Sequence, residues 1–145
     1  MENITALIMA AGTDDRMKSK KSKLAQPIYG KEVIKRVVNS VKKAGIEDIG
    51  VIVGENKEEI EAILKDGVKY IHQEQCLGTG HAIMQATEYL EKKSGRVLVL
   101  NGNIPLITGE TIKKVVEKSI KEDESATILT GIISEPKGYG RIVRK

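Results

Sequence analysis

Residues 7–23 read LIMAAGTDDRMKSKKSK, and this stretch decides the fold predicted for the whole chain. A short apolar run over 4–9, interrupted only by Thr5, ends at the small residues Ala10, Ala11 and Gly12. A polar loop follows, and it carries five cationic side chains, Arg16, Lys18, Lys20, Lys21 and Lys23. A buried strand that ends in a small-residue turn exposes backbone N–H groups, and nearby cations add to their attraction for an anion. The stretch therefore predicts a strand, an anion-binding loop and a helix that starts at Lys31.

Composition narrows the class of protein. The chain has 145 residues, of which 40% are hydrophobic and 30% charged, and its formal net charge is +4. These proportions are typical of a soluble protein, and the length predicts one domain over 1–145. Aromatic side chains are scarce, which argues against nucleic-acid binding. No apolar run approaches the ~20 residues that cross a bilayer, so no membrane partner is predicted. The single cysteine, Cys76, cannot form an internal disulfide, which favours the reducing cytoplasm.

The rest of the chain alternates between apolar strands and amphipathic helices. Strands are predicted over 48–53, 68–71, 96–100 and 126–133, and helices over 31–44, 57–64, 80–90 and 109–121. The run 96–100 is the most continuous and is expected to be buried, and Thr108 is the expected N-cap of the last helix. This alternation predicts an α/β fold with a mostly parallel, Rossmann-like sheet and helices on both faces. Ligands of such folds bind beyond the carboxyl ends of the strands, where the loops after the first strand, after 68–71 and after 96–100 meet.

The first loop resembles the signature L-A-A-G-x-G-T-R-M-x-S-x-x-P-K of the sugar-1-phosphate nucleotidyltransferases, and within them the N-acetylglucosamine-1-phosphate uridylyltransferases. The matching positions are Ala10, Ala11, Gly12, Arg16, Met17, Lys18, Ser19 and Lys23. The sequence departs from the signature at Asp14, Asp15 and Ser22, which replace glycine, threonine and proline.

The resemblance implies that the backbone of Ala10, Ala11 and Gly12 cradles the nucleotide. It also implies that Arg16 and Lys23 act in catalysis, by neutralising the phosphates and the charge of the transition state. From the residues alone, the five cations are a solvated basic loop, and that interpretation stands for Lys20 and Lys21.

The segment 73–82, QEQCLGTGHA, resembles the family motif Q-x-x-x-L-G-T-G/A-H-A. The resemblance implies that Gln73, Gly78 and Thr79 read the uracil. A carboxamide offers a donor and an acceptor to a pyrimidine edge, and a glycine lets backbone approach the ring. The alternative from the residues alone is that Gly78 and Thr79 only cap the next helix. His81 is interpreted as a helix-start or packing residue, and Cys76 as an inert thiol.

Two further segments resemble family motifs. The segment 100–107, LNGNIPLI, resembles G-D-x-P-L, whose aspartate holds Mg²⁺; here the matching residue is Asn103, which keeps an oxygen but lacks the charge that a hard cation prefers. The resemblance implies a Mg²⁺ cofactor, weakened at Asn103, and places Gly102 near the sugar. From the residues alone this segment is a plain turn.

The segment 138–142, GYGRI, resembles a family motif that lines the amino-sugar pocket, and the resemblance places Gly140 near the sugar. From the residues alone, the segment predicts a turn and then a strand.

Taken together, the resemblance implies that a uridylyl group passes from UTP to N-acetylglucosamine 1-phosphate, giving UDP-N-acetylglucosamine, a cell-wall precursor, and pyrophosphate. The expected partners are UTP and the sugar 1-phosphate. We expect a truncated nucleotidyltransferase domain, because the family's remaining sugar and metal residues would follow Lys145; completion by an oligomer or a second chain is left open. One alternative is a transferase for another sugar 1-phosphate. The other is a degenerate remnant that binds nucleotide weakly without catalysis, which Asp14, Asp15 and Asn103 favour.

Overall fold

A computed structural model describes residues 3–12 and 18–144 of the chain. In those ranges the chain forms the strands and helices β1 (Ile4–Met9), β2 (Pro27–Ile28), β3 (Lys31–Glu32), α1 (Val33–Lys43), β4 (Asp48–Val53), α2 (Lys57–Leu64), β5 (Lys69–His72), α3 (Thr79–Met84), α4 (Thr87–Glu91), β6 (Arg96–Asn101) and α5 (Gly109–Lys121). A short 3-10 helix, Lys23–Ala25, precedes β2. No helix in the described ranges is long and apolar enough to cross a membrane.

Four of the strands form one wholly parallel sheet in the order β5–β4–β1–β6, and β2 and β3 form a small antiparallel pair. β1 is central: Ile8 lies opposite Val51 of β4 on one side and Leu100 of β6 on the other. Because β1 has partners at both edges and helices on both faces, Leu7 and Ile8 are fully buried. The predicted parallel α/β fold is confirmed.

Successive side chains of β1 point to opposite faces of the sheet and enter two cores. Ala6 and Ile8 join the larger core, which packs against α1, α2 and α5. Leu7 joins the smaller core, where Ala82 and Ala86 of the segment containing α3 and α4 cover the other face. On α1 the buried positions recur at helical spacing and form one apolar stripe, Val33, Ile34, Val37, Val38 and Val41.

Most predicted elements have the predicted bounds. β1, β4 and α2 span the predicted residues, and the hydroxyl of Thr108 accepts a hydrogen bond from the N–H of Thr111 at 3.1 Å, as an N-cap does. The first helix begins at Val33 rather than at Lys31, because residues 31–32 pair with 27–28 as β3.

The helix predicted over 80–90 is wrong in one respect, since the structure has two short helices there. The break lies at Gln85 and Ala86, between α3 and α4. The hydroxyl of Thr87 donates to the carbonyl of Met84 at 2.6 Å, and the N–H of Ala86 reaches back only three residues, to Ile83. A threonine hydroxyl that bonds a nearby carbonyl competes with the helical ladder, which explains the break.

The segment 96–100 was expected to be buried throughout, but burial alternates along β6. Leu100 is buried, whereas Val97 is 45% exposed and Val99 is 39% exposed. Leu98 and Leu100 face the larger core, while the opposite face of β6 lies beyond the cover of α3 and α4. The run 97–100 is therefore apolar throughout, although the side of β6 that carries Val97 and Val99 is partly exposed in the described structure.

The strand predicted over 126–133 is absent from the described structure. A groove of about 860 Å³ is lined by β6 and by residues 125–129, and the segment pairs with no strand of the sheet. Ile128 and Leu129 are mostly exposed. An apolar segment becomes a strand only where a neighbour satisfies its backbone groups, and in the described ranges this segment has no such ladder partner. Residues 141–144 also form no strand after the turn at 136–139, which the N–H of Tyr139 closes on the carbonyl of Pro136 at 3.0 Å.

A polar cluster fixes α4 to the edge of the sheet opposite the carboxyl ends. The Asp48 carboxylate accepts hydrogen bonds from the hydroxyl of Thr5 at 2.7 Å and from the hydroxyl of Tyr89, and it pairs with the Lys93 ammonium at 3.0 Å. Burial opposes the charge of Asp48, but these hydrogen bonds and the Lys93 charge outweigh it and lower its pKa. Burial and the neighbouring Asp48 raise the pKa of the Tyr89 hydroxyl.

This cluster predicts a pH-dependent contribution to stability. Because the folded pKa of Asp48 lies below its unfolded value, the stabilisation is complete above the unfolded pKa, about 3.9, and is lost as the pH falls through the folded pKa. Asp48→Asn should lower the free energy of unfolding at pH 7 by a few tenths to about 1 kcal/mol, since the ion pair is partly exposed. Urea unfolding at pH 7 and pH 3 measures this, with the exposed neighbour Glu47→Gln as control. An Asp48→Asn deficit of equal size at both pH values would contradict the ionic contribution.

Candidate functional site

The loops that follow β1, β5 and β6 surround one cavity of about 350 Å³ at the carboxyl edge of the sheet. Seven residues predicted for the site line it, namely Ala11, Gly12, Lys23, Gln73, Gly78, Thr79 and Asn103. The predicted convergence of the three motif loops is therefore present in the structure. A volume of this size is within the range of small-molecule sites, roughly 300–1,000 Å³.

Backbone hydrogen bonds hold the start of each loop in place. The N–H of Ala10 donates to the carbonyl of Ile52, that of Gln73 to Val53, and that of Gly102 to Met9, each at 2.8 Å. These bonds continue the parallel ladders past the ends of the strands. The cavity is thus built on the rigid part of the sheet, and only its outer rim consists of loop.

Asn56 ties the first loop together. It precedes α2, and its amide Nδ2 donates to the carbonyl of Ala10 at 2.8 Å and to the hydroxyl of Ser22 at 3.3 Å. Its Oδ1 accepts the N–H of Gly54 at 3.2 Å. Because Ala10 and Ser22 lie on either side of the first loop, one side chain fixes both ends of it.

Ser22, where the sequence departs from the signature proline, is held by the same network. Its backbone has φ −53° and ψ 140°, which a proline also adopts. Its N–H donates to the Glu59 carboxylate at 3.0 Å, and its hydroxyl accepts the N–H of Leu24 at 3.3 Å. We define Ser22, Asn56 and Glu59 as the polar clasp. The clasp gives the residue before Lys23 the conformation that a proline ring would impose.

The second motif, residues 73–82, contributes another wall of the cavity. The Gln73 side chain is only 3% exposed, and its amide Nε2 lies 2.9 Å from Nδ1 of His81. Gly78 has φ +107°, a conformation that side chains rarely adopt, and α3 begins at Thr79 with no side chain capping it. Gly78 is nevertheless the N-cap residue of α3, because its carbonyl accepts the N–H of Ala82 at 3.1 Å. The capping interpretation therefore holds for the Gly78 backbone, and both Gly78 and Thr79 also line the cavity. The Cys76 thiol donates to the carbonyl of Ala11 at 3.1 Å, so it joins the second motif to the first loop.

The loop after β6 forms the third wall of the cavity, and the oxygens that it offers to a metal ion are neutral. Asn101 and Asn103 line the cavity, and none of the described lining residues is a carboxylate. In the described ranges no group of three or more His, Cys, Asp or Glu is arranged to hold a metal. Since Mg²⁺ prefers charged oxygen ligands, this donor set does not by itself fit a resident Mg²⁺ ion.

The other predicted site residues lie elsewhere. Ala10 is buried and does not line the cavity. Gly102 is also buried, its N–H is used by Met9, and a side chain there would approach the Met9 carbonyl to 2.9 Å, so it serves close packing of backbone. Gly140 is exposed and is not part of the cavity wall. Arg16, Asp14 and Asp15 lie outside the described residues.

The parallel sheet and the loop cavity at its carboxyl edge define an α/β protein of the class that binds its ligands beyond the carboxyl ends of the strands. The chain matches the MobA-like NTP transferase domain over residues 6–140, and it belongs to that family.

Relatives and solved structures agree with this assignment. The chain is 48% identical to the bifunctional protein GlmU of Acetivibrio thermocellus and 46% identical to that of Thermoanaerobacter pseudethanolicus. Each match covers 99% of this chain but 31% of the relative, so the chain spans about a third of their length.

Among solved structures, a nucleotidyl transferase from Methanothermobacter thermautotroptrophicus has a TM-score of 0.68 at 21% identity, with 81% of this chain and 58% of that one covered. A Mycobacterium tuberculosis protein in complex with manganese has a TM-score of 0.67 at 17% identity, with 79% and 58% covered. Both show the same fold.

Sequence reasoning missed two members of the polar clasp, Asn56 and Glu59. The available signal was the segment GEN before α2, where an asparagine that starts a helix is usually explained as a cap. Here the Asn56 side chain makes no capping bond and instead reaches across to β1 and to Ser22.

The clasp predicts a specific loss of stability. Asn56→Ala removes the donor to the carbonyl of the buried residue Ala10, so we expect the free energy of unfolding to fall by about 1–3 kcal/mol. Glu55→Ala, at the exposed neighbouring position, should change it little. Urea unfolding followed by circular dichroism compares them. Equal effects of the two substitutions would mean that the clasp does not hold the loop.

Proposed function

We propose that the cavity binds a uridine nucleotide, and that the chain is the nucleotide-binding part of a uridylyltransferase that acts on N-acetylglucosamine 1-phosphate. The observation that carries the proposal is the meeting of the three motif loops around one cavity, with the buried Gln73 amide on one wall and Lys23 on another. The GlmU relatives, which match over nearly the whole of this chain, support it.

Each wall has a distinct part in this function. Gln73 lies where a pyrimidine edge can meet its amide, and the conformation of Gly78 keeps that side of the cavity clear of a side chain. Lys23 borders both this cavity and the neighbouring hollow lined by Lys20 and Lys21. It supplies positive charge to the phosphates, together with Arg16, whose role rests on the signature alone.

The reaction proposed is in-line attack of the sugar phosphate on the α-phosphorus of UTP, with pyrophosphate as the leaving group. Positioning and electrostatic stabilisation provide most of the catalysis of such transfers. A divalent cation would supply positive charge at the phosphates. Asn101 and Asn103 offer such a cation only neutral oxygens, so these residues do not by themselves hold it at the phosphates.

A second candidate function is nucleotide binding without turnover. The neutral Asn103, at the position where the signature has a metal-binding aspartate, favours it. The sugar specificity rests on the relatives, since Gly140 is not part of the cavity wall and Gly102 is buried. A transferase for another sugar 1-phosphate would have the same nucleotide cavity.

Calorimetric titration tests nucleotide binding. We expect UTP to bind more tightly than ATP, because the buried Gln73 amide suits a pyrimidine edge. Lys23→Ala should weaken UTP binding by about tenfold, the scale of one charge-assisted contact. Lys20→Ala removes the same charge from an exposed position outside the cavity wall and should have a smaller effect. Tighter binding of ATP, or equal losses in the two variants, would contradict the assigned roles.

A second experiment tests whether residue 103 lies at a metal position. Asn103→Asp places a carboxylate at the cavity. Replacing EDTA with Mg²⁺ should then strengthen UTP binding, and this gain should be several-fold larger in the variant than in the unsubstituted chain. Asn103→Leu, which removes the oxygen, is the matched control. Titrations with and without Mg²⁺ measure this, and pyrophosphate release monitors turnover, which we do not expect to appear in Asn103→Asp. A Mg²⁺ dependence that does not change would remove Asn103 from the metal position.

A further inference from the structure

We propose that the groove along β6 is a dimerisation site, and that residues 126–133 of a second copy of this chain fill it as an added β-strand. We call residues 126–133 the apolar segment. The chain carries both an open strand edge and an unpaired segment with the composition of a strand, and each can satisfy the other. Such a dimer would form whether or not the chain binds nucleotide.

The outer edge of β6 has no partner strand in the described structure. β6 is the last strand in the order β5–β4–β1–β6 and pairs only with β1. The N–H and C=O groups on the free side of an edge strand can pair with a further strand. Residues 97–101 all line the groove, so the edge is accessible along nearly the whole of β6.

The groove has the size of one strand. Strands rise about 3.3 Å per residue and lie about 4.8 Å apart, and packed layers are about 10 Å apart, so each residue of an added strand fills roughly 160 Å³. Five residues, enough to match 97–101, would fill roughly 800 Å³. The groove has a volume of about 860 Å³, which one strand therefore occupies.

The groove and the apolar segment also match in charge. None of the described residues that line the groove is charged. The stretch 125–134, SATILTGIIS, likewise has no charged residue, and it is rich in Ile and Thr, which favour strands. Within the described ranges, the apolar segment makes no backbone–backbone hydrogen bond. A charged strand would lose its hydration in this groove, whereas the apolar segment gains by leaving water.

The exposed apolar surface is comparable with that of a dimer interface. Six aliphatic side chains of β6 and the apolar segment together expose the equivalent of roughly three and a half whole side chains, namely Val97, Val99, Ile128, Leu129, Ile132 and Ile133. Each fully buried side chain removes roughly 60–120 Å² from water, so a copy would bury roughly 200–400 Å² of them. A standard interface buries about 800 Å² per partner, a little over half of it apolar.

Arg96 determines where the apolar segment begins. Its guanidinium pairs with Asp123 at 3.0 Å and donates to the Ser119 hydroxyl at 3.2 Å, which holds the end of α5 beside the start of β6. Residues 125–129 then form a wall of the groove rather than its filling. A two-fold axis between two such segments gives the strand order β6, the partner's segment, the first copy's segment, the partner's β6. Each groove then receives the segment of the other copy.

Sedimentation velocity of the full chain over a wide range of concentrations tests this association. We expect a reversible equilibrium between monomer and dimer. Ile128→Asp places a charge in the uncharged groove and should weaken dimerisation by about tenfold or more. Because Ile128 is 71% exposed in the single chain, the urea midpoint of the monomer should not change. Tyr29→Asp adds the same charge at a fully exposed position between β2 and β3, and it should leave dimerisation unchanged.

Amide hydrogen exchange shows where the two copies meet. The amides of the apolar segment should be protected only at concentrations at which the dimer forms. A chain that stays monomeric throughout would overturn the proposal, as would a dimer in which this segment exchanges freely. Protection that does not depend on concentration would mean that the segment pairs with β6 of its own copy, and equal effects of Ile128→Asp and Tyr29→Asp would place the interface elsewhere. None of these measurements contains nucleotide, so their result is separate from that of the UTP titrations.

Discussion

The ladder hydrogen bonds that continue past the ends of the parallel strands are the interactions on which the rest of the site depends. Ala10, Gln73 and Gly102 each donate to a neighbouring strand at the point where their own loop begins. Since β1, β4, β5 and β6 run in the same direction, these bonds place three loops at one edge with little freedom between them. The cavity follows from the register of the sheet before any side chain is considered.

Side chains then add a second level of order to this edge. Asn56 connects β1 to the end of its loop, Cys76 connects the second motif to Ala11, and His81 holds Gln73. None of these contacts requires a ligand, so the walls that would meet a base are already formed. A preformed site loses less conformational freedom on binding, which favours affinity and selectivity at a cavity of this modest size.

The α/β class, most element bounds and the three site loops were predictable because they depend on local patterns in the sequence. β1 and β4 are mostly apolar runs, and a central parallel strand shows that pattern whatever surrounds it. The errors concern features that depend on neighbours. Val97 and Val99 are as apolar as buried residues but lie on the face of β6 that α3 and α4 do not cover in the described structure. Residues 125–129 and β6 line the same groove, but the segment 126–133 forms no strand there. The polar clasp was not predictable, since nothing local to Asn56 indicates that it reaches Ser22, 34 residues earlier.

The electrostatics of the described walls explain why base recognition is the better supported half of the proposed function. Gln73, Asn101 and Asn103 are neutral amides, and of the described wall only Lys23 carries a charge. Neutral amides select by the direction of their donors and acceptors, which is enough to distinguish one base from another. Phosphoryl transfer instead needs fixed charge around the phosphorus, and Lys23 alone provides little of it. In the proposed function, the departure at Asn103 therefore affects phosphoryl transfer far more than base recognition, because it leaves the position of the buried Gln73 unchanged.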